Sequence, residues 1–313
     1  MRTLLAALLL ALAATTHAQT VIDLNRGARL RAKTLDDYRN VPLPNTRGET
    51  ADASYSDHLR RAFSALRTDS LDEAERHFRE ALDLKPAAEG NYVIDLYLAQ
   101  IEAARGRYDK AYVQLSEIVK AHPRYCDARA ERGEAALRLG RAAEAEEDAS
   151  WLITPPETVE VPDDLADRAR FIRAAARYQL RRYPEARADL HELLLARPDD
   201  VDGKLLDALA LLRMGQRQEA LNRLNVAVEA HPDDDAPLAT RASVLAELGS
   251  DALACADYDT LIQRHPDNAD LYPERAKILL RLGRKQAARR DLDTAVRLGT
   301  RRGTLQPLYN LAR

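Results

Sequence analysis

Between Leu205 and Pro266 two consecutive stretches, LLDALALLRMGQRQEALNRLNVAVEAHP and ATRASVLAELGSDALACADYDTLIQRHP, carry apolar residues at three- and four-residue steps. That step keeps one face of an α-helix apolar. Each stretch therefore reads as two helices joined by a short turn, marked by Gly215 or Gly249. A helix with one apolar stripe cannot bury it alone, so successive pairs have to stack. The punctuation is regular: Pro198, Pro232 and Pro266 stand 34 residues apart. With Pro86 and Pro123 in the same role, the frame predicts seven helical pairs, starting near Tyr55, Tyr92, Cys126, Asp167, Val201, Asp235 and Ala269.

The residue before the proline is His122, His231 or His265, with Arg197 in the same slot of the fourth block. Proline disfavours helical geometry at the residue before it, so the second helix ends there. A cation at that end also complements the helix dipole. Acids after the proline, as in Pro232-Asp233-Asp234-Asp235, suit the start of the next helix. Three histidines in three separate turns cannot converge on one ion, so no metal site is expected from them.

The blocks resemble tetratricopeptide (TPR) repeats. The small-residue positions of that family, 8, 20 and 27, are Ala62, Ala74 and Ala81 in the first block and Ala208, Ala220 and Ala227 in the fifth. The closing proline of position 32 is Pro86, Pro123, Pro198, Pro232 and Pro266. The resemblance implies an all-α fold, a right-handed superhelix of about seven helix-turn-helix repeats. Repeats 1–3 would occupy residues 55–157 and repeats 4–7 residues 167–300. The third block lacks the closing proline and runs into TPPETVEVPDD, which reads as a surface insertion, with a linker at 158–166. Residues 301–313 are expected to cap the last repeat through Leu305, Leu308, Tyr309 and Leu311.

Positions 7 and 23 carry opposite charges in the last five repeats. The pairs are Arg132 with Asp148, Arg173 with Asp189, Arg241 with Asp257, and Arg275 with Asp291. In the fifth repeat the signs reverse, giving Asp207 with Arg223. Antiparallel helices joined near position 16 bring these positions side by side, so five ion pairs within repeats are expected. Their role would be to fix the pairing of the two helices, with net stability uncertain where they are buried.

The first residues change the setting. MRTLLAALLLALAATTHAQT has a basic start, eleven apolar residues from Leu4 to Ala14, and Thr16-His17-Ala18. It reads as a secretory signal peptide, residues 1–18, cleaved after Ala18. Eleven residues of helix span roughly 16 Å, about half of the hydrocarbon core, which argues against an uncleaved anchor. An exported chain, most simply periplasmic, follows. Residues 19–54, with VPLPNTRGE, have little periodicity beyond one short helical stretch and read as an extension that is flexible or lies along the first repeat. The two cysteines, Cys126 and Cys255, lie outside any paired or zinc-binding spacing and are expected to be buried and unbonded.

Composition agrees with helices: Gly is scarce at 12 residues and aromatics make up 5%. The net charge of −3 gives no general attraction to nucleic acid or anionic membrane. No enzyme motif is present. His191-Glu192 begins like a zinc-protease helix, but Leu195 stands where its second His is needed. No cofactor is expected, and the expected function is binding to a protein or peptide, without nucleic acid and without a later membrane span.

In the resembled family the first helices line a concave groove through positions 2, 5, 6, 9, 12 and 13. Here these include Phe63, Tyr97, Arg138, Phe171 and Tyr178, the candidate contact residues, since aromatics and Arg dominate binding hot spots. Ordinary packing is the competing reading for the rings. The clamp that some members use for a C-terminal carboxylate is absent, because Asp127 and Glu131 occupy its positions. A second candidate surface is the basic end, with Arg284, Lys285, Arg289, Arg290, Arg297, Arg301 and Arg302. It would suit an acidic partner, lipid head groups or a cell-wall polymer.

Overall fold

The computed structural model describes residues 50–313, with side chains from Ser54 onward; the leader and most of the extension, residues 1–49, lie outside the described residues. Among the described residues the regular structure is helical, and it falls into two compact units divided between Ala196 and Arg197. The first unit holds α1 (Thr50–Arg67), α2 (Leu71–Leu84), α3 (Asn91–Ala104), α4 (Tyr108–Ala121), α5 (Cys126–Arg138), α6 (Ala142–Ile153), α7 (Asp163–Gln179) and α8 (Tyr183–Ala196). The second holds α9 (Val201–Arg213), α10 (Arg217–Ala230), α11 (Asp235–Glu247), α12 (Asp251–Arg264), α13 (Leu271–Arg281), α14 (Lys285–Arg297) and α15 (Arg302–Leu311). Consecutive helices pair as seven hairpins, α1–α2 through α13–α14. Within each unit a hairpin packs on the next: α2 on α3, α4 on α5 and α6 on α7 in the first, α10 on α11 and α12 on α13 in the second.

Small residues set how closely the helices approach. Ala62, Ala74 and Ala81 are fully buried in the first hairpin, and Ala208 and Ala220 in the fifth. A larger side chain at these crossings would push the helices apart. Position 8 of the third hairpin is Gly133, where an added Cβ would lie 3.2 Å from Ile172 Cγ2 of α7.

The turn inside each hairpin needs one residue with positive φ at position 15. Gly106, Gly140, Gly215, Gly249 and Gly283 supply it at φ of 71° to 82°. Asp69 (φ 55°) and Arg181 (φ 61°) hold the same conformation without glycine's freedom. The other end of each hairpin is closed by the histidine slot. His122, His231 and His265 leave helical geometry at ψ 71°, 64° and 68°, each donating its backbone N–H to the residue four positions earlier. Asp200 and Asp234 then cap the following helices, accepting from the N–H of Gly203 and Ala236 at 2.8 Å each.

Two boundaries and one expected cap contact differ from the repeat frame. Helix α1 begins at Thr50, ahead of the expected start at Tyr55, in keeping with the helix-favouring Ala51 and Ala53. Helix α7 begins at Asp163 rather than 167, because Pro162 precedes two acids suited to a first turn. The non-helical insertion is thereby confined to residues 154–162, and α7 packs on both α5 and α6. At the C-terminal end α15 lies on α13 and α14 and buries Leu305 and Tyr309, with Leu308 half-buried, but Leu311 faces outward with 57% of its surface exposed. Leu311 stands two positions past Tyr309, a 200° turn that carries it off the covered stripe. Cys126 is half-buried, Cys255 is buried, and both are free thiols.

Candidate functional site

Each of the five expected ion pairs is brought together. Arg132 donates from Nε and Nη2 to Asp148 at 2.7 and 2.6 Å, Arg173 to Asp189 at 3.0 and 2.6 Å, Arg241 to Asp257 at 2.9 and 2.7 Å, and Arg275 to Asp291 at 2.8 and 2.7 Å. In the reversed repeat Arg223 Nη1 is 3.0 Å from Asp207 Oδ2. The aspartate is the buried member in every case, whichever helix carries it, because its short side chain ends at the helix interface while arginine reaches out toward water. The hydrogen bonds to Asp148 and Asp257 hold the Arg132 and Arg241 guanidinium groups above their ordinary range, against the opposing effect of burial.

Two of the aromatic contact candidates are corrected by the geometry. Tyr97 is buried and stacks on Phe78, with ring centroids 5.6 Å apart and planes 7° from parallel. Phe63 meets both rings edge-on at 5.3 and 5.1 Å, and only part of it remains exposed. These rings knit α1, α2 and α3 into one cluster. Tyr178 is likewise buried and packs edge-on against Tyr183 of α8 at 5.4 Å. A wide ring on a first helix can reach the neighbouring helix, and burying it there against another ring outweighs leaving it in water. Phe171 stays half-buried, and so does Arg138, whose guanidinium lies 5.4 Å from the Tyr108 ring centroid.

The first-helix face of α3, α5 and α7 holds a polar network that sequence reasoning missed. Arg168 of α7 donates from Nε to Glu134 at 2.6 Å and from Nη2 to Glu131 at 2.8 Å. Gln100 of α3 donates to the same Glu131 oxygen at 2.9 Å. Burial by itself would lower the Arg168 pKa, but the two carboxylates outweigh it and hold the guanidinium well above its ordinary range. The four residues sit at positions 9, 6, 9 and 2 of three successive repeats. The signal for it in the sequence is charge complementarity between adjacent repeats, which pairing within one repeat does not reveal. Glu131 is thus engaged by Arg168 instead of standing open.

The seven basic residues at the C-terminal end are all exposed, on or next to α14 and α15. Among the described residues no carboxylate lies within 4.0 Å of Arg284, Arg289, Arg290, Arg297 or Arg301. Lys285 donates to the backbone oxygen of Arg313 at 3.0 Å, and the Arg302 guanidinium covers the Tyr309 ring at 4.5 Å. Among the described residues one group of three metal-ligating side chains converges, His58, His77 and Glu80, where sequence reasoning expected no metal site. No helix of the described residues is long and apolar enough to cross a membrane.

Comparison with known proteins places these observations in a family. Residues 96–150 match the family model described as tetratricopeptide repeat, and residues 179–290 match that of the Psidin N-terminal TPR repeats region. No curated protein matches the chain in sequence. Among solved structures, a tetratricopeptide repeat protein from Parabacteroides merdae superposes with a TM-score of 0.67 at 23% identity, over 83% of this chain and 99% of that one. A TPR protein of Thermus thermophilus gives 0.53 at 22% identity, over 60% and 99% of the two chains. Yeast Tom70 gives 0.55 at 13% identity, over 85% and 64%.

Proposed function

Because the chain is a tetratricopeptide-repeat protein, we propose that it is an exported, non-catalytic scaffold that binds a protein or peptide segment on its first-helix face. The carrying observation is the Gln100–Glu131–Arg168–Glu134 network, whose side chains are already ordered by one another. Polar groups held in place before a partner arrives lose little freedom on binding, which favours affinity and register. Phe171 and Arg138, half-buried on the same helices, add an aromatic and a cationic contact. Export, and a periplasmic destination, rest on the leader at residues 1–18.

The test places a photo-crosslinking residue at Gln100, Glu134 or Phe171, and at exposed Val113 and Val226 on second helices as controls. The reading expects a partner adduct from the first-helix positions alone, lost when Arg168→Glu disrupts the network. Equal crosslinking from both sets would refute it. The exposed basic residues of α14 and α15 favour a second reading, docking of that end to an acidic partner, a membrane or a cell-wall polymer. Such binding should be lost when Arg289 and Arg290 are changed to Glu, substitutions that leave crosslinking from Gln100, Glu134 and Phe171 unchanged if the first reading holds.

A further inference from the structure

Positions 4, 23 and 26 of a hairpin are neighbours across its two helices. In the third repeat they hold Arg129, Asp148 and Trp151, with Arg129 Nη1 3.3 Å from Asp148 Oδ1 and the guanidinium 4.1 Å from the Trp151 ring centroid. In the first repeat the same positions hold His58, His77 and Glu80. Here His58 Nδ1 and His77 Nδ1 are 3.1 Å apart, His77 Nδ1 is 2.8 Å from Glu80 Oε2, and His58 Nδ1 is 3.0 Å from that oxygen. Three atoms able to offer a lone pair lie within 3.1 Å of one another. A proton can join one edge of this triangle well, but a cation can satisfy all three donors together.

The dimensions suit such a cation. An ion about 1 Å above the plane of a triangle with these edges reaches all three atoms at roughly 2.0–2.1 Å, the zinc–nitrogen and zinc–oxygen distance. The opposite nitrogen of His77, Nε2, lies 3.8 Å from Glu73 Oε1, beyond hydrogen-bond distance, so that carboxylate acts on the imidazole through its charge alone. His77 is buried, while His58 and Glu80 keep 26% and 41% of their side chains exposed, so the site opens to solvent on one side. We propose that His58, His77 and Glu80 bind one divalent transition-metal ion of the zinc class, clipping α1 to α2 and leaving a fourth position for water. Two imidazoles and one carboxylate suit Zn2+, Cu2+, Ni2+ or Co2+ and are a poor set for Mg2+ or Ca2+.

The experiment titrates Zn2+ into the tag-free, chelator-washed chain by calorimetry and follows Co2+ by its visible absorption. The expected result is one Zn2+ per chain, a Co2+ visible absorption that saturates at one ion per chain, and a rise of about 5 °C in Tm at a hundredfold excess over Kd. His58→Asn and Glu80→Gln, both at the solvent edge, should each weaken Zn2+ by at least about tenfold with an unchanged far-UV spectrum. His77→Ala should abolish uptake, whereas His265→Asn, at the histidine beside Asp235, should leave it unchanged. Absence of uptake, or uptake that survives His58→Asn and Glu80→Gln together, overturns the proposal.

Discussion

The Arg241–Asp257 pair gives the cleanest test of what the repeated charges do. Arg241 spans both oxygens of Asp257, and its Nη1 donates to Asn225 Oδ1 at 3.0 Å. The two side chains keep 22% and 11% of their surface exposed. Unit charges about 4 Å apart attract by about 4 kcal/mol at an effective dielectric near 20. Withdrawing both ions from water costs several kcal/mol at full burial and less here, so the pair as a whole contributes about 1 kcal/mol or less. Removing one member is different, because it strands the other. A fully buried orphan costs about 3–5 kcal/mol; with the partial water access of this site about 2 kcal/mol is expected for Arg241→Ala or Asp257→Ala.

The double variant leaves no orphan and should cost about 1 kcal/mol or less, giving a coupling energy of about 3 kcal/mol. Urea unfolding followed by circular dichroism measures all four proteins. Amide-exchange protection in α11 and α12 serves as a second probe, since repeat arrays can lose cooperativity. The exchanged pair Arg241→Asp with Asp257→Arg should recover at least half of the loss of either single reversal, because the Asp207–Arg223 repeat already places the buried aspartate at position 7. A double alanine variant that loses the full sum of the two singles, about 4 kcal/mol, would refute the reasoning.

Other substitutions test the turns, the cap and acid sensitivity. Arg181→Gly should stabilise by about 0.5–1 kcal/mol and Gly215→Ala should destabilise by about 1 kcal/mol, since both positions have positive φ; a lower urea midpoint for Arg181→Gly or an unchanged one for Gly215→Ala would contradict this. Leu305→Ala should cost about 2–4 kcal/mol through a cavity beneath α15, while Leu311→Ser should change Tm by less than about 1 °C. The Arg105 guanidinium, hydrogen-bonded to Glu75, holds that carboxyl below its ordinary range despite the opposing effect of partial burial. A depressed folded pKa means stability that is present above the unfolded value near ~4.3 and lost as pH falls through the folded one. The stability gap between the parent and Glu75→Gln should therefore be full at about pH 6 and close below about pH 4; a gap of constant size over that range would count against the assignment.

What could be read from sequence followed the periodicity of the forces involved. Burial of an apolar stripe and closure of a turn recur in every repeat, so the alanines at positions 8, 20 and 27, the prolines at 32 and the charges at 7 and 23 announce themselves by repetition. Helix ends outside the period did not: α1 and α7 extend past the repeat frame because local propensity and a proline–acid start decide those boundaries. Single residues broke the frame in the same way. A ring assigned to an open face by its position, as with Tyr97, is free to turn onto Phe78, and position alone cannot say which it does.

The two features with the most chemistry both lie where the period is broken. Gln100, Glu131, Glu134 and Arg168 pair between repeats, so no single repeat shows the pattern. His77 stands at position 23, where the ion-pair rule of the later repeats would place a charged partner for position 7; there Arg61 is exposed, and His77 turns to His58 and Glu80. The last five hairpins share the ion pair at positions 7 and 23, whereas the second holds Leu98 and Gln114 there. In the first hairpin the buried His77 and the half-buried His58 face the Glu80 carboxylate instead. An ion shared by the three side chains would form a clasp between α1 and α2 at the place where the later hairpins use an ion pair.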